Sequence, residues 1–191
     1  MKQYTIYILV GLVFFAVMEY MFSVIIRGDL SNFLGSIIFN AFYLTIGYFS
    51  SKVIDRFFKP WKIEDVIIYL FYGCVGLAIE WYLIGNSPWN NPDANQIAMF
   101  SYWAGAVIIA RIFTNPDNDL WKLKRAILLF FIPYSVISIA LGHILPTYEL
   151  RFGIMILLAI AGYDFMNLFY FWYFYHRFKR SSNVKLVSSQ T

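Results

Sequence analysis

Val66-Ile67-Ile68-Tyr69-Leu70-Phe71-Tyr72-Gly73-Cys74-Val75-Gly76-Leu77-Ala78-Ile79-Glu80-Trp81-Tyr82-Leu83-Ile84-Gly85 is an apolar run with one charge, followed by the loop Asn86-Ser87-Pro88-Trp89. It matches the roughly 20 residues that a helix needs to cross a bilayer. Glu80 sits near its far end, in a segment otherwise built for hydrocarbon. A carboxyl there costs a few kcal/mol on insertion scales, so it has to be paired, protonated or turned into a cavity. Two further acids share that position, Glu19 in the first apolar run and Asp164 in the last.

Five more runs of this kind follow from the sequence: about Tyr4–Ile26, Leu30–Ser50, Gln96–Thr114, Ala126–Leu145 and Leu150–Tyr175. With 60% hydrophobic residues and 14% charged, the 191-residue chain has too few charges to cover a soluble surface. Mean hydropathy is +0.61. The class is an all-α polytopic membrane protein, because only helices satisfy their own backbone groups span by span. The first run follows Lys2 but is too long for a signal peptide and lacks a small-residue cleavage pattern, so it reads as a retained span.

Short turns after the first and fifth runs predict three antiparallel helical hairpins. Thirteen of the fifteen basic residues fall on one side: Lys2, Lys52, Arg56, Lys59, Lys62, Arg111, Lys122, Lys124, Arg125, Arg177, Lys179, Arg180 and Lys185. Only Arg27 and Arg151 fall on the other. The positive-inside rule then places both termini in the cytoplasm, of a bacterial inner membrane or the endoplasmic reticulum. Residues 1–180 form one six-helix domain, and 181–191 read as a polar, disordered tail. The net charge of +4 follows from these flanks, which excludes a nucleic-acid partner; the partners expected are the bilayer, a hydrophobic small molecule and further copies in an oligomer.

A single cysteine, Cys74, excludes an internal disulfide, and the two histidines, His143 and His176, are too far apart for a helical metal pair. No phosphate-binding glycine loop is present, and no metal or cofactor is expected. The acids remain. Glu19, Glu80 and His143 come to the outer half of the first, third and fifth helices, Asn40 lies mid-depth in the second, and Asp164 lies near mid-membrane with Asn167 one turn on. Turned inward, they would line a polar cavity with Trp81, Tyr102, Trp103 and Tyr163. Buried carboxyls favour their neutral form, which is what a proton donor to an apolar substrate needs. Each has a plainer reading: Glu19 pairing with Arg27 or Arg151, Asp164 making an interhelical hydrogen bond, His143 merely ending its helix. Glu19-Tyr20, Glu80-Trp81 and Gly142-His143 hint at a hairpin repeat. The run Phe169-Tyr170-Phe171-Trp172-Tyr173-Phe174-Tyr175 fits an interfacial aromatic belt.

Three pieces in order carry a resemblance: Cys74-Val75-Gly76-Leu77-Ala78-Ile79-Glu80, Gly142-His143, and Asp164 followed by Phe171-Trp172-Tyr173. Over about half the chain, it resembles the small membrane-bound terpene cyclases of fungal meroterpenoid and indole-diterpene pathways. Those proteins are longer, with seven helices. The resemblance implies acid-initiated cyclisation of a linear isoprenoid, with the family's Glu and Asp roles on Glu80 and Asp164. Two other functions fit intramembrane acids: a small proton-coupled carrier, and a structural subunit of a membrane complex.

Overall fold

The computed structural model describes residues 2–58, 63–92 and 95–188, with side chains left undescribed at 119 and 177–188. Lys59, Pro60 and Lys62 of the expected basic loop, and 189–191 of the expected tail, lie outside the described residues.

Six helices follow one another, and no strand occurs among the described residues. Helix α1 is Lys2–Glu19, continued by a π-helical segment Tyr20–Ile26; α2 is Leu30–Phe58; α3 is Glu64–Ile79, continued by a π-helical segment Glu80–Ile84. Helix α4 is Gln96–Thr114, α5 is Trp121–Ile144 and α6 is Tyr148–Ser188. All six are long and apolar enough to span a membrane. Helical backbone in α6 carries on through 181–188, where the sequence pointed to a tail. Helix α2 likewise runs on past Ser50, so Lys52, Asp55 and Arg56 project from a helix and not from a loop.

Helix α4 is the central element. Every residue from Ser101 to Ala110 is buried, and the helix packs on α1, α3 and α6. Three glycines let neighbours approach it. A Cβ at Gly73 would meet the Phe100 ring, one at Gly76 the stem of Trp103, and one at Gly105 the Tyr170 hydroxyl. Between apolar helices in lipid the hydrophobic effect supplies no net attraction, so close packing over small residues carries the association.

Helix α6 buries a stripe of Met155, Ala159, Gly162, Met166, Tyr170 and Tyr173 at three- and four-residue spacing. The aromatic run is thus split. Tyr170, Tyr173 and Phe174 enter the core, while Phe171, Trp172 and Tyr175 face outward as a belt would.

Candidate functional site

Glu80 is 7% exposed and begins the π-helical segment of α3. A π turn adds a residue to the local ring and re-aims the side chains that follow. Glu80 Oε1 accepts the indole N–H of Trp103 at 2.9 Å, and Oε2 accepts from the Asn86 amide at 2.8 Å. The backbone N–H of Asn86 also returns to the Glu80 carbonyl at 2.8 Å. The turn this requires passes through Gly85 at φ +88, in the left-handed region where a side chain is disfavoured. Gly76 lies one turn before Glu80, and its missing side chain is what admits Trp103.

Glu19 stands at the equivalent junction of α1, immediately before its π-helical segment. It is half-buried. Its Oε1 accepts the Tyr102 hydroxyl at 2.6 Å, and Oε2 accepts from Ser23 at 3.2 Å. The expected partners Arg27 and Arg151 are not engaged. Among the described residues neither acid has a cation within ion-pair distance. Two of the three hairpin motifs therefore share a local geometry, an acid at an α-to-π junction. The third, Gly142-His143, lies in regular α-helix.

The acids are joined by aromatic groups. Phe15 stacks edge-on against both Tyr102 (4.9 Å) and Trp103 (5.6 Å), and Tyr43 does so against Trp103 at 4.8 Å. Tyr163 from α6 packs against the same aromatic core. Asn40 is 1% exposed, sits beside the Tyr102 hydroxyl, and leaves its Nδ2 without a hydrogen bond.

The remaining expectations fare differently. Trp81 is engaged elsewhere: its indole donates to Gln96 Oε1 at 2.6 Å and its ring meets Trp89 edge-on. Asn167 accepts from Tyr69 at 2.9 Å and donates to Ser101 at 3.1 Å, tying α6 to α3 and α4 away from both acids. His143 is exposed and bonds Tyr20 at 3.2 Å. Asp164 is a correction. It is exposed on the outward side of α6, because the buried stripe through Gly162 and Met166 puts residue 164 on the opposite face. It is not brought to Glu80.

A second polar centre went unread in the sequence. Arg111, counted there as a loop cation, is clamped from α4 between Asp55 of α2 (3.1 and 2.8 Å) and Asp65 of α3 (2.9 Å), and Tyr173 of α6 donates to Asp65 at 2.9 Å. Four helices meet in this network at the basic end of the bundle. The signal was available: an arginine inside an apolar run, a full turn before Asn115-Pro116, costs more than a loop cation.

Compared with known proteins, the chain matches no protein-family model, no curated protein and no solved structure.

Proposed function

We propose that the chain is an integral membrane enzyme that starts the cyclisation of a linear isoprenoid by protonation, with Glu80 and Glu19 as the working acids. The observation that carries this is two carboxyls from different helices, α1 and α3, with no cation in ion-pair distance among the described residues, both hydrogen-bonded to neighbouring aromatic residues of α4, Tyr102 and Trp103. The proton passes from the Glu80 carboxyl to a terminal double bond or an epoxide oxygen. The π electrons of the next double bond then form the new carbon–carbon bond, and the last cation loses a proton to a base, so the product is an isomer of the substrate. Aromatic faces shelter a developing cation. Glu19 takes the partner role that the terpene-cyclase resemblance had put on Asp164. In this reading the bundle comprises three antiparallel hairpins, α1 with α2, α3 with α4 and α5 with α6. The basic ends lie in the cytoplasm, as the distribution of Lys and Arg supports.

The test is a product screen. Membranes carrying wild type, Glu80→Gln and Glu19→Gln are given linear prenylated substrates and their epoxides. An isomer of unchanged mass made by wild type and lost in Glu80→Gln supports the reading; a broad panel without product, from folded protein, rejects it.

One observation favours a proton-coupled carrier instead. Asn32, exposed at the start of α2, donates to Ser23, and Ser23 donates to Glu19, a hydrogen-bonded path from the surface to a half-buried acid. Proton-linked uptake abolished by Ser23→Ala would decide for that reading.

A further inference from the structure

Asp164, outside the acid site, stands on the outward face of α6 in a span built for hydrocarbon. It lies about 3 Å beyond the midpoint of the span Tyr148–His176. Among the described residues it has no hydrogen bond and no ion pair. A carboxyl facing lipid at that depth is costly, and intramembrane acids almost always turn inward or pair. It also stands alone. No other exposed Asp, Glu, Lys or Arg among the described residues lies more than two turns from a helix end.

The face around it is patterned. Leu157, Asp164 and Phe171 recur every seven residues, with Gly153, Ile160, Leu168 and Tyr175 set between and beside them at three- and four-residue steps. All seven are exposed, opposite the stripe that α6 buries in the core. Such a rhythm is the seam of a helix pair, and one polar residue in a seam fixes its register. Gly153 has nothing within 4 Å of where its Cβ would be, which leaves the α6 backbone open to a neighbour.

We propose that this face of α6 is the contact between two copies of the chain, with Asp164 hydrogen-bonded to the partner's Asp164. Copies of one chain insert alike, so two protomers related by a twofold axis along the membrane normal run their α6 helices parallel. Each seam residue then meets its own counterpart at the same depth. That suffices for an isolated acid in hydrocarbon, because a protonated carboxyl donates its O–H to an oxygen of the other. A second copy has no cation to offer there: its exposed basic residues, among those described, all lie near helix ends. The contact is on the side of α6 away from the core that holds Glu19 and Glu80, so it stands independently of the proposed cyclisation.

The experiment is energy transfer between full chains labelled at the N-terminus with donor or acceptor, in phosphatidylcholine vesicles at falling protein-to-lipid ratio. Wild type is expected to give saturable transfer above the level of random proximity. Asp164→Leu weakens the association about five- to thirtyfold, and Asp164→Asn, whose amide both donates and accepts, retains it. Leu157→Trp on the seam (67% exposed) disrupts association, while Ile46→Trp on the outward face of α2 (65% exposed) leaves it unchanged. In a Cys74→Ser background, Leu157→Cys cross-links between copies on oxidation and Ile46→Cys does not. Melting curves like wild type show that each variant is folded. Transfer no greater than random proximity, or equal association of wild type and folded Asp164→Leu, overturns the proposal. A synthetic polyleucine helix with one central lysine serves as competitor. If it binds the chain through Asp164 where a second copy does not, the face belongs to a cationic partner helix and the proposal fails.

Discussion

Tyr102 and Trp103 are neighbours on α4, yet their polar atoms go to different acids on different helices, Tyr102 to Glu19 at 2.6 Å and Trp103 to Glu80 at 2.9 Å. Successive residues on a helix point about 100° apart, so α4 wedged between α1 and α3 can serve both at once. The pair therefore couples the packing of three helices to the state of two carboxyls.

Trp103→Phe keeps a ring among Phe15 and Tyr43 but removes one of the two side-chain donors to Glu80. The expected cost is about 1–3 kcal/mol, the range for leaving a buried acceptor short of its partner. Thermal unfolding in detergent checks it. Combining the change with Glu80→Gln should cost less than the sum of the two, because both remove the same contact. Additive losses would mean that the indole's role is packing alone.

Gly76→Ala places a methyl against the stem of Trp103, which is fixed to the α4 backbone and cannot swing away. A loss of about 1–3 kcal/mol is expected from the overpacking. Gly35→Ala, where a Cβ meets nothing within 4 Å, should be neutral or slightly stabilising in the same assay. Equal behaviour of the two would contradict the close approach of α3 and α4.

Asp164→Asn separates the sequence expectation from the structure. With its side chain facing the membrane, neutralising it should leave product formation near wild type and leave melting unchanged or raised, since a charge in hydrocarbon is unfavourable. Glu80→Gln should abolish product. Loss of product in Asp164→Asn at normal stability would return Asp164 to the site.

Arg111→Met strands Asp55 and Asp65. Breaking a buried pair by removing one partner costs about 3–5 kcal/mol, here toward the lower figure because Asp55 is a third exposed. Adding Asp55→Asn and Asp65→Asn to Arg111→Met should recover much of the loss, which melting of the triple variant would show. A triple variant no better than Arg111→Met would mean that the guanidinium acts through packing.

Hydrocarbon length and composition alone determined six spanning helices, because in a bilayer an apolar run of that length has no other way to satisfy its backbone. They also singled out Glu19 and Glu80, since an acid in such a run is conspicuous wherever it points. The direction a side chain takes was decided only by packing. Asp164 and Asn167 both sit in the same apolar run, but the stripe that α6 buries turns Asn167 onto Ser101 and leaves Asp164 outside. Whether a run is α or π also depends on tertiary contacts: Glu19-Tyr20 and Glu80-Trp81 open π turns while Gly142-His143 does not. Arg111 shows the same limit. Its charge fitted a cytoplasmic loop by counting, and only the convergence of α2, α3, α4 and α6 made it the centre of an ion network. Depth in the membrane is written in the order of residues. Facing is written in which helices meet, and that depends on pairs of surfaces far apart in the chain.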